Sequence, residues 1–273
     1  MKSICIVALL CAAGLGCLTP QPAGAAKPWV LYDDFSSTFL NPDRWPDTNL
    51  ERSRLAVGGG LALTARDWGG TVSDSGRQSF SWSDAITRSS SVTQFRALVK
   101  ILAVENTGCA ANSTPTRSRA RLLASFFNTG GRATGSQFGD VLAQVNVYRD
   151  SNSVDAPGVL QVNASAFVCS SADCSTSSSI GATASLGTVS VGQNVLLQIE
   201  WDKAAKTLTF SRDQGASTAT IPYGNLDDHT EPGNPFKIMA LRNEVANCAS
   251  GPRALGYISA RFDSVAVNKV AKP

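Results

Sequence analysis

Apolar and polar residues alternate with a period of two along most of the chain. The clearest stretches are residues 61–66, 92–104, 120–128, 140–150, 195–202, 207–213 and 257–268. In residues 92–104, for example, Phe95 and Val99 share one face while Arg96 and Lys100 share the other. Successive side chains of a strand point to opposite sides, so this alternation predicts strands with one buried and one solvated face. Helical spacing hardly appears, and we predict an all-β protein.

Turns rich in Gly, Pro, Asn and Asp separate these predicted strands. Many short antiparallel strands joined in this way predict a two-sheet antiparallel β-sandwich, with each sheet covered on one side only. Residues 195–202 and 207–213 are predicted to form a hairpin. The serine-rich residues 170–185 are predicted to form a surface loop.

The first 25 residues have the pattern of a secretory signal peptide. Lys2 is followed by an apolar run over residues 4–18, and Ala23-Gly24-Ala25 supplies the small residues that a signal peptidase needs. Because a membrane span needs about 20 apolar residues, we expect no membrane span. A lipoprotein anchored at Cys17 is a less favoured alternative, since the usual leucine is missing three residues earlier. We therefore predict a secreted or periplasmic protein with a single domain over residues 26–273.

Export determines how the cysteines are interpreted. Three of the seven leave with the signal peptide, and the mature chain keeps Cys109, Cys169, Cys174 and Cys248. An even number in an oxidising compartment predicts two disulfides. The short polar stretch between Cys169 and Cys174 favours pairing these two, which leaves Cys109 with Cys248. A zinc site is disfavoured, because the chain has one histidine, His229, and no C-x-x-C pair.

The charge of the chain is nearly balanced. Without Lys2, 23 basic residues stand against 21 acidic ones, a formal net charge of +2. This excess is too small to indicate binding to nucleic acid or to a membrane surface.

The polar positions of several predicted strands carry cationic and amide side chains. If these strands are neighbours in one sheet, their polar side chains line a common surface, to which Lys100 and Gln198 also contribute. The predicted ligand-binding residues are Arg96, Arg119, Arg121, Gln144, Asn146 and Tyr148. Guanidinium forks and amides suit carboxylates, sulfates and sugar hydroxyls. The alternative is an ordinary solvated sheet face.

Four stretches carry a resemblance to a known group of proteins. They are YDDFSSTFLNPDRW (32–45), LAVGGGLALTAR (55–66), VGQNVLLQIEWDKAAKTLTFSRDQG (191–215) and ARFDSVAV (260–267). Together they resemble the concanavalin A-like lectin and glucanase jelly rolls over most of residues 30–268. The resemblance implies a jelly-roll sandwich whose first and last strands lie side by side. The group includes lectins, glucanases, lyases and binding modules, so the fold does not settle the function.

The catalytic motifs of this group are incomplete here. Laminarinase-type glucanases carry Glu-x-Asp-x-x-Glu on one strand, and Glu200-Trp201-Asp202 lacks the second glutamate. Alginate-lyase-like members carry Gln-x-His, and Gln144-Val145-Asn146 has asparagine instead, which cannot act as a general base. Proton transfer would then fall to Tyr148 alone. We assign no catalytic residue and expect Trp201 to be a core residue flanked by solvent-facing acids.

The resemblance also implies a structural Ca²⁺ ion, held by an acid of the opening strand region and another of the closing strand. Asp34, beside Asp33, and Asp263 occupy these stretches. Calcium prefers six to eight oxygen ligands, so carbonyls and waters would complete the shell. The alternative is that these carboxylates cap turns or pair with arginines.

These observations predict a secreted protein that binds carbohydrate or interacts with a surface, its partner being a polysaccharide or cell-surface glycan. A polysaccharide lyase or glycoside hydrolase with a degenerate site is the second interpretation. A structural envelope protein is the third.

Overall fold

The computed structural model describes residues 28–37, 41, 44–45, 53–55, 59–86, 89–131 and 133–269. Within these residues, the chain forms fourteen β-strands and two short 3₁₀ turns. The strands are β1 (Val30–Asp33), β2 (Ser53–Leu55), β3 (Leu61–Trp68), β4 (Arg77–Ala85), β5 (Gln94–Asn106), β6 (Arg117–Asn128), β7 (Asp140–Asp150), β8 (Val159–Cys169), β9 (Ser177–Ser190), β10 (Asn194–Asp202), β11 (Thr207–Arg212), β12 (Ser217–Pro222), β13 (Lys237–Ala246) and β14 (Leu255–Val267).

The strands pair into two antiparallel sheets. The eight-stranded sheet has the order β12-β11-β10-β5-β14-β3-β2, and β1 also pairs with β14. The six-stranded sheet has the order β4-β13-β6-β7-β8-β9. The sheets pack face to face, which confirms the predicted all-β class and the two-sheet antiparallel jelly-roll sandwich.

The core lies between the sheets and is built by the alternation in the sequence. In β7, Val141, Ala143, Val145 and Val147 point inward and are fully buried. Phe95 and Phe262 of the eight-stranded sheet face the same core. Each fully buried side chain of this size stabilises the fold by about 1.5–3 kcal/mol, so the core is the main stabilising element.

The first and last strands lie side by side, as expected from the resemblance. Val30 pairs with Val267 and Leu31 with Ala266. The opening stretch is held locally by aromatic packing, because Trp45 stacks on Phe35 at 5.4 Å between ring centroids and its indole N–H donates to Asp33 at 2.7 Å. The buried tryptophan therefore packs against the end of β1 and the residues directly after it.

Both predicted disulfides are present. Cys169 is bonded to Cys174, and Cys109 to Cys248 across 139 residues. Closing loops of these lengths stabilises the fold by about 2 and 5 kcal/mol in the chain-entropy model. Residues 1–25, with the predicted signal peptide and Cys17, lie outside the described residues. Among the described residues, no helix has the length and apolar character needed to cross a membrane.

Two expectations about the six-stranded sheet were wrong. The predicted loop 170–185 enters strand β9 at Ser177, an edge strand with mostly exposed side chains on both faces. A strand at the edge of a sheet that is solvated on both sides needs no alternation of apolar residues. The serine-rich sequence of β9 therefore gives no signal that would predict a strand. The second error concerns β6, where nearly every side chain is buried on both sides of the sheet.

A lysine is buried at one end of the sandwich. The side chain of Lys237, the first residue of β13, has no solvent exposure. Its ammonium group donates to the carbonyls of Ser125 and Ser89 and lies 4.6 Å from the ring centre of Phe126. Burial lowers the pKa of Lys237 to about 7. The fold therefore contains a titratable group whose charged form is poorly solvated.

Candidate functional site

The outward side of the six-stranded sheet collects the arginines of β6. Because Ala120, Leu122 and Ala124 fill the core side, the alternate residues Arg119 and Arg121 point outward. The strand register places Arg119 opposite Tyr148 and Arg121 opposite Asn146. We call this surface the guanidinium face, and it consists of Arg119, Arg121, Arg242, Gln144, Asn146 and Tyr148. Five of the six predicted binding residues therefore meet on one surface.

Arg96, the sixth predicted residue, does not belong to this surface. Arg96 and Lys100 both lie on β5 in the eight-stranded sheet. Gln198 lies on the neighbouring strand β10, where it pairs with Arg96. The Arg96 guanidinium lies 4.3 Å from the ring centre of Trp29, and burial lowers its pKa. The common surface predicted from sequence was wrong for these residues, because alternation gives the face of a strand but not the sheet to which the strand belongs.

An acid that the sequence analysis missed lies within the cluster. Glu244 of β13 contacts three arginines, with its Oε1 3.5 Å from Arg77 and 3.3 Å from Arg242. Its Oε2 lies 3.0 Å from Arg119 Nη2, but this contact is not aligned as a hydrogen bond and is an ion pair only. One carboxylate thus faces three guanidinium groups, and the surface keeps a positive excess.

Arg121 is the least compensated cation of the guanidinium face. Its residue is only 6% exposed, and its Nη1 donates to Gln144 Oε1 at 3.1 Å. Among the described residues no carboxylate forms an ion pair with it, and its buried Nε has no hydrogen-bond partner. Burial, followed by the charges of Arg119 and Arg242, lowers the pKa of Arg121 well below its usual value. A guanidinium still stays protonated at neutral pH, so Arg121 carries a charge that has lost its solvation.

Amide side chains extend the surface beside Arg121. Gln144 Nε2 donates to Ser165 Oγ at 3.0 Å, and Asn146 Nδ2 donates to Asn163 Oδ1 at 3.0 Å. Asn146 is 2% exposed and its buried Oδ1 has no partner among the described residues. Unpaired buried polar atoms are rare in native proteins, and five of the eleven among the described residues lie on this face. A polar ligand or an ordered water molecule would supply the missing hydrogen-bond partners.

A cavity of about 390 Å³ opens next to Arg121. Its cationic side is formed by Arg121 and Arg242, and its apolar side includes Leu123, Leu142, Phe167 and Phe236. The Cys169–Cys174 loop adds Asp173, whose pKa is lowered to about 2 by hydrogen bonds from Ser175 and Ser171. Such a site offers guanidinium donors to an anionic group and apolar surface to the carbon skeleton that carries it.

The incomplete catalytic motifs take structural roles. Glu200 accepts a hydrogen bond from Gln94, and Asp202 accepts one from the backbone N–H of Ala205 in the following turn. Both lie on β10 in the eight-stranded sheet, and Trp201 packs against the core as predicted. On the guanidinium face, Tyr148 lies under the Arg117 guanidinium at 4.6 Å. The guanidinium face therefore brings cations and amides together, and arginines neutralise the carboxylate of Glu244.

The acids considered for calcium are already engaged. Asp34 accepts a hydrogen bond from Ser36 N at 3.0 Å, and Asp263 pairs with Arg261 at 3.1 Å. A Cβ added to Gly59 would lie 3.6 Å from Arg261 Nη2 and 3.9 Å from the carbonyl oxygen of Asp34. The Arg261 guanidinium therefore lies near both stretches, and an ion bound at Asp263 would compete with it for this carboxylate.

Calcium at Asp34 and Asp263 stays a prediction, and thermal unfolding with and without a chelator tests it. Because a ligand that binds only the folded state raises the melting temperature, a fall in chelator would show a bound ion. The Arg261→Ala variant is the matched control, since removal of the guanidinium should strengthen any such effect. An unchanged midpoint in both proteins would exclude a tight site.

No protein-family model matches the chain. No curated protein sequence matches it either.

Several solved structures are similar in their chain arrangement at low sequence identity. A glycoside hydrolase family protein from Mycobacterium thermorestibile is 11% identical over 87% of this chain and 100% of that chain, with a TM-score of 0.41. A beta-1,3-glucanase from Mycobacterium marinum is 11% identical over 88% of this chain and 92% of that chain, with a TM-score of 0.36. A non-specific endo-beta-1,3(4)-glucanase from family GH16 is 11% identical over 87% and 92%, with a TM-score of 0.40.

Proposed function

We propose that this chain is an exported carbohydrate-binding protein and that its guanidinium face holds an acidic polysaccharide. The observation that carries the proposal is Arg121, a buried cation without a carboxylate partner at the edge of an open cavity. An anionic sugar substituent would supply the missing counter-charge, and its hydroxyls would meet Gln144 and Asn146. Pyranose ring carbons would contact Phe167 and Phe236.

The charge balance of the surface supports an anionic ligand. Arg117 is neutralised by Asp150 through two hydrogen bonds of 2.7 and 2.8 Å. Of the remaining cations, Arg77, Arg119 and Arg242 share the carboxylate of Glu244, and Arg121 has no ion pair among the described residues. With the ionised carboxylate of Asp173 at the cavity also counted, four positive charges face two negative charges, which leaves an excess of two. An anion is therefore attracted to this face although the whole chain is almost neutral.

Binding without cleavage is the form of the function that this chemistry supports. A retaining glycosidase needs two carboxyl groups about 5–5.5 Å apart, and a lyase needs a base that removes a proton. Glu244 is held by arginines, and the amide of Asn146 is not a base. The lyase and hydrolase interpretations remain as outcomes of the test.

Affinity electrophoresis in gels containing polygalacturonate, alginate, dextran sulfate or neutral laminarin tests the proposal. We expect retention by at least one acidic polymer through the guanidinium face, and any retention by neutral laminarin should be equal in the parent and in a variant without Arg119 and Arg121. Retention should weaken roughly tenfold when salt is raised well above physiological strength, because ions screen the arginines. The Arg119→Ala/Arg121→Ala double variant should lose retention without a lower melting temperature.

Reducing-sugar and unsaturated-product assays on the same polymers separate binding from cleavage. Product formation would establish an enzyme and contradict the binding role. Equal retention of the double variant and the parent would remove the guanidinium face from the proposal. Absence of retention by every acidic polymer would favour a structural role for the sandwich.

A further inference from the structure

A second cavity, of about 560 Å³, opens around Trp68 at the end of β3. The Trp68 side chain points away from the core and the residue is 46% exposed, although tryptophan has a large apolar ring system. Leu255 and the Cys109–Cys248 disulfide line the cavity beside it. The site lies apart from the guanidinium face, and none of its lining residues is shared with the cavity at Arg121.

Covalent and hydrogen bonds hold the cavity in shape. The disulfide joins the segment around Cys109 to the segment around Cys248. Arg253 Nε donates to the carbonyl of Gly69 at 3.0 Å, and Asp74 accepts the backbone N–H groups of Ala249 and Ser250. A ligand would therefore meet a preformed site, and binding would cost little ordering of loops.

Close packing behind Trp68 strengthens this rigidity. A Cβ on Gly69 would lie 1.9 Å from the carbonyl oxygen of Ala246, so only glycine fits where β3 ends. The backbone on either side is tied by hydrogen bonds from Gly69 N to Ala254 O and from Thr107 N to Leu255 O. The indole is thus presented from a fixed backbone.

The chemistry of the lining indicates the class of ligand. Trp68 offers a flat apolar surface, and Glu105 and Arg253 add an acceptor and a donor of opposite charge. A strongly charged ligand would be repelled by one of these two groups, and a purely apolar ligand would desolvate both. A neutral sugar has hydroxyls that donate and accept, together with a C–H face that packs on an aromatic ring.

We propose that the Trp68 cavity is a second saccharide site, which takes a neutral pyranose stacked on the indole and hydrogen-bonded to Glu105 and Arg253. This site does not depend on the guanidinium face. The protein would then contact a glycan at two separate places, of which only one requires an acidic group.

Titration with laminaripentaose, cellopentaose and mannopentaose, followed by calorimetry and tryptophan fluorescence, tests this site. At least one of the three is expected to bind the parent at a single site. Trp68→Ala should weaken that binding about tenfold or more, and Trp68→Tyr should keep it within about threefold, because an aromatic face is retained.

Two controls accompany the titration. Trp29→Ala changes a partly exposed tryptophan whose ring lies against Arg96, in a third cavity that shares no lining residue with the other two, and this variant should bind like the parent. The Arg119→Ala/Arg121→Ala variant should also bind like the parent. Failure of all three pentasaccharides to bind the parent, or parental affinity in Trp68→Ala with an unchanged melting temperature, would overturn the proposal.

Discussion

Replacing Arg121 by methionine is expected to abolish retention on an acidic polysaccharide and at the same time to raise the melting temperature. Methionine matches the aliphatic part of the arginine side chain but carries no charge. The folded protein would therefore lose a buried cation that has no carboxylate partner. Exchanges of buried charged groups for apolar ones are often stabilising by about 1–4 kcal/mol. In this variant Gln144 Oε1 no longer accepts the hydrogen bond from Arg121. Because Gln144 is only half-buried, water can replace that bond.

Arg117→Met is the matched control for this prediction. It lies on the same strand and face, and the substitution changes the net charge by the same amount. Arg117, however, is paired with Asp150, and this hydrogen bond raises its pKa. Its removal leaves a carboxylate unpaired, so the melting temperature should fall while retention persists.

The two variants separate a specific site from general attraction by charge. If both lose retention equally, net charge rather than the Arg121 cavity holds the polymer. If Arg121→Met is less stable than the parent, the arginine is compensated in the folded protein and the basis of the proposed function fails. Stabilisation with loss of binding is the pattern expected when a functional residue is retained at a cost to the fold.

The parent protein is expected to become more stable as the pH rises from 6.5 to 9.5, and Lys237→Met is expected to remove this dependence. The folded-state pKa of Lys237 is about 7, below the ordinary value of 10.5. Between these values the unfolded chain binds a proton that the folded chain has released, so the free energy of unfolding rises with pH. Below pH 7 both states are protonated and the folded state carries the full penalty.

The size of this effect follows from the difference in pKa. A depression from 10.5 to about 7 corresponds to roughly 5 kcal/mol, of which about 3 kcal/mol should be recovered between pH 6.5 and 9.5. Denaturant unfolding at several pH values measures it. The window ends below pH 10 because tyrosine ionises near pH 10 in the unfolded chain, whereas burial raises the pKa of Tyr223 to about 12 in the folded chain.

The slope with pH, rather than the absolute stability, is the readout for Lys237→Met. Methionine leaves the carbonyls of Ser89 and Ser125 without their donor, which offsets part of the gain from removing the charge. A slope of zero in the parent, or equal slopes in both proteins, would show that Lys237 is not the titrating group.

Much of the fold could be predicted from alternation alone. Strands such as β7 and β5 place valine, alanine and phenylalanine on one side without interruption, so the core and the class follow from the sequence. Other strands could not be found in this way. β13 is buried over most of its length on both faces, and β9 is exposed on both, so neither shows a period of two.

The candidate site was predictable only in part. Strand periodicity correctly directed Arg119, Arg121, Gln144 and Asn146 to one side, but it could not assign Arg96 to the opposite sheet. It also could not show that Arg121 would be buried, since burial comes from the long side chains of adjacent strands. Glu244 was missed because β13 itself was not predicted.

The disulfide between Cys109 and Cys248 has a mechanical consequence. Because β1 pairs antiparallel with β14, tension on the two ends of the domain would unzip this pair one residue at a time. Pulling cannot extend the 139-residue loop closed by the disulfide, which removes on the order of 470 Å of stretched chain. Arg119, Arg121, Gln144, Asn146 and Arg242 all lie inside that loop. When flow pulls on a molecule that is bound to a polymer, the terminal strands would therefore detach before the binding surface is extended.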